Sequence, residues 1–265
     1  DPSGGMLLRN RGPILVRAQL LGCTDISIHD RVYYGFLARE GLRADGAESM
    51  VVGDVDLELG ALKLDENKTT DPRAWALGPG VASALLRYLE QSRPGWSKES
   101  RLFVDEFGRP RQESHRADHL RAHLRAAGVN RLELFERSPV RLPVRVHDLR
   151  ATFITVSLAN GRTETWVQDR TGHTTSIMLN RYRRVPRSFA ELALGPLLPL
   201  DRAIPDLAPA SGVGQRVGQK SRGPLAEQAD AADLKSAARK GVPVRTREGL
   251  LEPAALRAPI SPGRY

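Results

Sequence analysis

The sequence predicts an α+β fold: a mostly helical body with a small three-stranded antiparallel sheet, followed by a disordered C-terminal tail. Apolar residues recur at helical spacing from residue 30 to 52 and again from 79 to 198. Between these stretches, from 54 to 77, apolar residues occupy every second position, which is typical of strands. From 201 to 265 the chain holds 7 of its 18 prolines and one aromatic residue, which favours disorder.

The first helical stretch begins near Asp30. Val32, Phe36 and Leu37 would share one face of this helix, because residues three to four positions apart lie on the same side. A second helical stretch follows Gly41, where the glycine is suited to a helix end.

The predicted sheet occupies the next segment. Apolar and acidic residues alternate over 55–59, Gly60 supplies a turn, and alternation resumes over 62–64. A third short strand is predicted at 75–77. The order of strand, turn and strand indicates antiparallel pairing.

Helices resume after the sheet. Pro79 suits the first turn of a helix, and the apolar residues that follow line one face. The predicted helices are 79–91, 113–127, 148–159, 163–170, 174–183 and 188–198.

Composition limits the class of protein. The net charge is +9, and 34 of the 40 basic residues are arginines, whose planar guanidinium binds phosphate with two hydrogen bonds. Nucleic acid is a natural partner, although a GC-rich genome would also favour arginine codons. No apolar run approaches the roughly 20 residues of a membrane helix. Cys23 is the one cysteine, which excludes an internal disulfide and a cysteine-rich zinc site. We expect a cytoplasmic, nucleoid-associated protein.

Two segments late in the chain carry candidate chemistry. In VHDLRATF, His147 and Arg150 are three positions apart at the start of a predicted helix, so both can face one site. In TGHTTSIMLNRYRRV, His173 follows a glycine turn and Tyr182 comes nine residues later. Taken singly, these residues could be ordinary surface or half-buried side chains.

Two earlier segments complete the set. LAREGLR ends in Arg43 after a glycine turn, and NKTT places Lys68 between two predicted strands. The ordered set resembles that of the tyrosine recombinase (phage integrase) family: Arg43, Lys68, His147, Arg150, His173 and Tyr182. The resemblance covers about residues 28–190, the catalytic domain of that family.

The resemblance implies a site-specific DNA recombinase, an integrase that cleaves and rejoins DNA through a 3′-phosphotyrosine intermediate. It implies double-stranded DNA as partner, a homo-tetramer on DNA, and neither a cofactor nor a metal. It also assigns Arg43 and Arg150 to the phosphate oxygens, which gain charge in the transition state. Lys68 would act as the general acid that protonates the leaving 5′-oxygen.

The resemblance assigns the remaining roles as follows. Tyr182 is the nucleophile, and its tyrosine ester conserves the energy of the broken phosphodiester bond. His147 is the general base, and His173 donates a hydrogen bond to the phosphate. One position departs from the family pattern: Gly46 stands where an acidic residue usually braces the site. Asp45 or Glu48 could replace it.

The domain organisation follows from the same comparison. Residues 1–28 are predicted to be a linker or the remnant of a core-binding domain, 29–200 the catalytic domain, and 201–265 a disordered basic tail. The stretch 188–200 could be a C-terminal helix that docks on a neighbouring protomer or packs on its own domain. A type IB topoisomerase-like relaxing enzyme and a catalytically decayed DNA-binding remnant remain alternatives.

The tail suggests a target. Permitted codons for residues 232–237, GCG GAT TTA AAA TCC GCC, form a hairpin with a leucine anticodon in its loop. Permitted codons for 243–247, CCG GTT CGA ACC CGG, contain a T-arm sequence with a paired stem. The reading frame is therefore predicted to run into a leucine tRNA gene, the attachment site of a mobile element. A random basic tail is the alternative.

Overall fold

The structure is a computed structural model, and it describes residues 18–64, 73–111, 114–139, 141–173 and 197–209. All of them belong to one unit of the chain, residues 1–211. The helices are α1 (Ile28–Glu40), α2 (Ala44–Ser49), α3 (Val81–Ser92), α4 (Arg116–Ala126), α5 (His147–Ala159), α6 (Glu164–Thr171) and α7 (Leu200–Ala203). The strands are β1 (Val55–Asp56), β2 (Ala61–Leu64) and β3 (Arg73–Ala76). Single-turn 3-10 helices lie at Val52–Asp54, Leu132–Leu134 and Pro205–Leu207.

Helix α1 is buried along most of its length and forms the centre of the core. Ser27 begins it, because its hydroxyl accepts a hydrogen bond from the His29 amide at 3.2 Å. Asp30 in the first turn complements the positive end of the helix dipole. Gly41 ends the helix with a left-handed φ of 68°, and its N–H donates to the Leu37 carbonyl at 3.1 Å. The helix predicted to begin near Asp30 is confirmed.

The sheet has the order β1-β2-β3, and both strand pairs are antiparallel. Val55 lies opposite Leu62, and Leu62 lies opposite Trp75. All three are buried, so one face of the sheet packs on the core around α1. The fold class predicted from the sequence, a mostly helical body with a small three-stranded antiparallel sheet, is confirmed.

The first strand is shorter than predicted. It ends at Asp56, whose carboxylate accepts hydrogen bonds from the amides of Glu58 at 3.1 Å and Leu59 at 2.8 Å. A side chain that bonds the backbone two and three residues ahead forms a turn instead of a strand. Leu59 is consequently 81% exposed, and the predicted strand over 55–59 is wrong beyond its second residue.

The later helices follow the predicted pattern. Helices α3, α4, α5 and α6 each begin and end within three residues of the predicted bounds. The predicted helix at 174–183 lies outside the described residues. Of the predicted helix at 188–198, only 197 and 198 are described, and they are not helical. No helix within the described ranges is long and apolar enough to cross a membrane.

One core segment gives no clear periodic signal in the sequence. Leu102, Phe103 and Val104 are buried in the loop between α3 and α4. The Leu102 amide donates to the Met50 carbonyl at 2.9 Å, and the Phe103 ring lies 4.9 Å from the ring of Phe36. An apolar run of three residues between charged neighbours is too short to show a helical or strand period.

Packed residues lie on both sides of the predicted catalytic domain, 29–200. Leu20 and Leu21 of a helical segment at 18–22 are buried in the core, although 1–28 was predicted to be a linker or domain remnant. Beyond residue 200, Ile204 and Leu207 are also fully buried, although a disordered tail was predicted to begin at 201. These residues extend the packed core past both predicted boundaries.

The segment from 197 to 209 packs on its own unit through α1 and α3. Leu200 is fully buried, its N–H donates to the Pro79 carbonyl at 3.1 Å, and a Cβ at Gly35 of α1 would overlap its side chain. Arg31 of α1 forms an ion pair with Asp206 at 2.5 Å. The described part of the C-terminal segment therefore stabilises the catalytic unit itself.

We expect Leu200→Ala to lower the free energy of unfolding by about 2–5 kcal/mol, because it leaves a cavity between α1 and α3. Denaturant unfolding monitored by circular dichroism measures the change. Leu198→Ala is the matched control, because Leu198 is 62% exposed two residues away and should change stability little. Equal effects of the two variants would contradict the packing described for this segment.

Candidate active site

Arg150 is the buried centre of the site. Its side chain leaves α5 and is 3% exposed. One guanidinium nitrogen, Nη1, donates to the Gly41 carbonyl at 2.6 Å, and Nη2 donates to the Thr171 carbonyl at 2.6 Å. Both carbonyls lie at helix C-termini, one after α1 and one at the end of α6. Two helix ends with unsatisfied carbonyls thus hold one cation in a fixed plane. We call this pair of carbonyls the Arg150 cradle.

Gly41 can occupy its place in the cradle only because it is glycine. Its φ of 68° is strained for residues with a Cβ, and a Cβ there would overlap the ring of Phe153 in α5. Gly172 serves the same purpose after α6, because its φ is 64° and a Cβ there would overlap the guanidinium of Arg73. The chain can therefore turn sharply on both sides of Arg150.

His173 lies beside Arg150 with both ring nitrogens in hydrogen bonds. The Thr171 hydroxyl donates to the Val167 carbonyl at 2.6 Å, so it must accept from His173 Nδ1 at 2.8 Å. The proton is then on Nδ1, and Nε2 accepts from Arg150 Nη2 at 3.3 Å. This geometry fixes a neutral imidazole whose lone pair faces the guanidinium.

The electrostatics agree with a neutral imidazole. Burial, together with the charges of Arg150, Arg43 and His147, lowers the pKa of His173 to about 4. His173 is therefore neutral at physiological pH. In this arrangement it orients Arg150, and a hydrogen bond to a phosphate would have to replace one of its protein partners.

His147 is the first residue of α5 and is exposed as a whole. The start of the helix is fixed by Asp148, whose carboxylate accepts from the Arg145 amide at 2.8 Å. Partial burial of the imidazole lowers its pKa below 6.5, and Arg150, Arg145 and Arg43 add to the effect. A neutral imidazole at pH 7 is able to accept a proton.

Arg43 completes the group that the structure brings together. It is the exposed residue directly before α2, in an extended conformation, two residues after Gly41. Its charge acts on both His147 and His173. Four of the six residues singled out in the sequence thus converge on one place, whereas Lys68 and Tyr182 lie outside the described residues.

Gly46 lies at an open position, and the two acidic residues near it in sequence bind another helix. A Cβ at Gly46 would meet no atom within 4 Å, so the position faces open space. Asp45 and Glu48 each bind Arg116 of α4 at 2.6 Å, and Glu48 also accepts from the Tyr33 hydroxyl at 2.7 Å. Both candidate replacements for the acidic brace are therefore engaged with α4.

Sequence reasoning missed Gly41, Thr171 and Glu40. The first two act through backbone carbonyls, which no side-chain motif can reveal, although the glycine ahead of Arg43 was a usable signal. Glu40 is 1% exposed and accepts hydrogen bonds from Trp75 Nε1 at 2.9 Å and the Gly78 amide at 2.8 Å. An acidic residue at the end of a buried helix was the signal for it.

Metal binding finds no support in the part of the chain that the structure describes. No group of three or more histidines, cysteines or carboxylates there is arranged to hold an ion. Cys23 is a free thiol.

The chain is similar to a protein family and to several solved structures. The sequence profile of the phage integrase family matches residues 17–188. Among solved structures, the XerA recombinase is similar with a TM-score of 0.53 and 20% identity, over 67% of this chain and 61% of that one. The Tn1549 transposon integrase in complex with transposon right end DNA is similar with a TM-score of 0.51 and 15% identity, over 68% of this chain and 63% of that one. No curated protein sequence matches the chain.

The similarity to these two solved structures concerns the fold. At 20% and 15% identity the two solved structures indicate a shared fold and nothing beyond it. The chain spans about three fifths of the XerA chain, 61%.

We expect Arg43→Met to raise the pKa of both His147 and His173, because it removes a nearby positive charge without removing a buried contact. The rise should be partial, since burial and Arg150 remain. An NMR titration of the imidazole signals measures it. Arg162→Met is the control, because Arg162 stacks on Trp166 and is not among the charges that act on either histidine. Unchanged pKa values in Arg43→Met would contradict the convergence of the four residues.

Proposed function

The chain belongs to the phage integrase family, and from this premise we propose that it cleaves and rejoins duplex DNA as a site-specific recombinase. The observation that carries the proposal is the Arg150 cradle with His173, His147 and Arg43 around it. A phosphodiester is anionic, and two guanidiniums in a partly buried site can neutralise the charge that grows on its oxygens in the transition state.

Preorganisation favours Arg150 for this task. Its guanidinium is held at 2.6 Å by both carbonyls before any substrate arrives, so binding a phosphate needs no reorientation of the cation. Arg43 is exposed and nearby, which suits a residue that meets the DNA backbone from the solvent side. The two arginines would contact the phosphate from different directions.

The proposed reaction transfers one phosphoryl group and returns it. The Tyr182 oxygen attacks phosphorus as the bond to the 5′-oxygen breaks, and the tyrosine proton passes to His147. Lys68 gives a proton to the leaving 5′-oxygen. A 5′-hydroxyl then attacks the 3′-phosphotyrosine, which reseals a strand and releases Tyr182 without an external energy source. Tyrosine has an ordinary pKa near 10, so the positive field of the two arginines assists its ionisation.

The finer parts of the proposal concern target and assembly. We infer that the enzyme serves a mobile element whose attachment site is a leucine tRNA gene, on the strength of the codons permitted at 223–247. We also infer a homo-tetramer on DNA, because recombination exchanges strands between two duplexes, each cut at two places. Phosphate contacts by arginine make the binding weaken with salt.

Tyr182→Phe should abolish covalent capture of DNA and leave DNA affinity unchanged, because phenylalanine lacks only the attacking oxygen. The test is a nicked suicide duplex that carries the candidate tRNA junction, followed by a denaturing gel. Wild-type protein should give a shifted adduct, and the variant should give none. The control is the affinity of both proteins for intact duplex at the same salt concentration.

Other outcomes would replace the proposal. An adduct on random duplex, with relaxation of supercoiled plasmid, would favour a type IB topoisomerase-like enzyme. DNA binding by the wild type without any adduct would favour a catalytically decayed remnant.

The DNA that encodes residues 223–247 should contain the paired arms of a leucine tRNA, because the proposed insertion point lies within that gene. Sequencing the encoding DNA checks this directly. Synonymous codons that destroy the anticodon hairpin and the T-arm pairing would refute the proposed target and leave the proposed reaction untouched.

A further inference from the structure

Glu40 is the fully buried carboxylate among the described residues, and the reaction above gives it no task. It is the last residue of α1 and is 1% exposed. Burial raises its pKa to about 7, despite hydrogen bonds from Gly78 and Trp75 and the charges of Arg170 and Arg39, all of which lower it. Burying an acid in a core costs free energy, so packing alone does not explain its presence.

The contacts of Glu40 join two parts of the site. Oε2 accepts from Trp75 Nε1 at 2.9 Å, and Trp75 is the buried residue of β3. Oε1 accepts from the Gly78 amide at 2.8 Å, just beyond that strand, and a Cβ at Gly78 would come within 3.2 Å of the same oxygen. The carboxylate therefore holds the end of β3 against the end of α1.

The next residue along the chain is part of the Arg150 cradle. Gly41 follows Glu40 directly, and its carbonyl accepts from Arg150 at 2.6 Å. A displacement of Glu40 would move that carbonyl, because only one peptide unit separates them. On the other side of the cradle, Arg170 precedes Thr171, so the neighbours of both carbonyls in the cradle carry opposite charges.

The charged groups around Glu40 come from three elements. Arg39 on α1 and Arg170 on α6 act on Glu40 directly, and Arg73 of β3 lies over the ring of Trp75, 5.9 Å from its centroid. Asp201 of α7 acts on Arg39 and not on Glu40 directly. The neighbouring cations lower the pKa of Glu40, but burial raises it by more, so the carboxyl ionises near pH 7.

We propose that Glu40 is a positioning residue, whose ionised carboxylate ties β3 to the Arg150 cradle and so keeps Arg150 in place during strand cleavage. The inference rests on the proposed function, because it assigns Glu40 a part in that reaction.

The ionised form matters because two N–H donors face the two oxygens. A carboxylate accepts both hydrogen bonds with the added strength of its charge. A neutral carboxyl must place its own hydrogen on one of those oxygens, which weakens the bond there. Loss of the proton from Glu40 should therefore tighten the cradle, and cleavage should become faster as the pH rises through 7.

Glu40→Gln tests this, because the amide is neutral and turns an NH2 group toward one of the two N–H donors. We expect the variant to form the covalent adduct about tenfold more slowly than wild type at pH 8, and at a similar rate at pH 6. The measurement is the rate of adduct formation on the suicide duplex at both pH values. Glu90→Gln, an exposed acid on α3, should match wild type throughout.

Unfolding measurements separate positioning from a merely structural role. The pKa of Glu40 is raised from 4.5 to about 7 in the fold, so the ionisation of Glu40 by itself removes stability from wild type as the pH rises through this window, and the lowered pKa of His173 offsets this loss below pH 6.5. Glu40→Gln lacks this loss. If the role of Glu40 were structural, the activity of the variant would follow its stability. If Glu40 is a positioning residue, the variant should show its largest kinetic defect at pH 8, where the ionised Glu40 makes wild type less stable. Equal rates for variant and wild type at pH 8, or the same rate ratio at pH 6 and 8, would overturn the proposal.

Two further measurements keep the test decisive. If Glu40→Gln does not fold, Trp75→Phe takes its place in the test. This variant removes the hydrogen bond that Trp75 Nε1 donates to Glu40, and it should also slow cleavage at pH 8. The NMR signals of His173, which contacts Arg150, should shift in wild type with a midpoint near 7. This transition should be absent in Glu40→Gln, where only the titration of His147, below pH 6.5, still affects the His173 signals. If wild type forms no adduct yet shows this shift, the proposed function fails and the link from Glu40 to Arg150 stands; absence of the shift overturns the link.

Discussion

The hydrogen bonds from Arg150 to the carbonyls of Gly41 and Thr171 are the constraint on which the rest of the site depends. A buried cation is costly unless it is fully hydrogen-bonded, and here the partners are the negative ends of two helices. That solution requires α1 and α6 to end at the same point, which in turn requires left-handed glycines at 41 and 172. The motif around Arg150 is therefore inseparable from two helix ends far away in sequence.

The same arrangement resolves a conflict in the chemistry. A phosphate site needs positive charge, whereas a general base needs an unprotonated imidazole. Clustered arginines meet both needs, because Arg150 and Arg43 attract phosphate and also lower the pKa of His147 and His173. His147 is exposed enough to exchange a proton, while His173 is locked between Thr171 and Arg150. In the same positive field, His147 can therefore exchange a proton, whereas His173 can orient Arg150.

The sequence predicted most of the fold because helix periodicity and strand alternation are local. It predicted α1 and the antiparallel pairing of three strands, although β1 ends three residues earlier and β3 begins two residues earlier than predicted. Four of the six candidate residues meet in the described site. It failed where a contact joins distant segments: Arg116 lies more than 65 positions from its partners Asp45 and Glu48, and no local pattern connects them. It also failed at Asp56, where one side chain bonding its own backbone outweighed an apolar alternation that favoured a longer strand.

Folding shifts the pKa values of Glu40 and His173 in opposite directions. In the fold the pKa of Glu40 is raised from 4.5 to about 7, and that of His173 is lowered from 6.5 to about 4. Between pH 4.5 and 6.5 the native pair therefore holds one proton, on Glu40, and the unfolded pair also holds one, on His173. Since stability changes with pH only where the two states bind different numbers of protons, this pair leaves it nearly flat in that window. Folding moves the proton from the imidazole to the carboxyl, and above pH 7 the carboxylate that supports Arg150 is ionised while the imidazole beside it stays neutral.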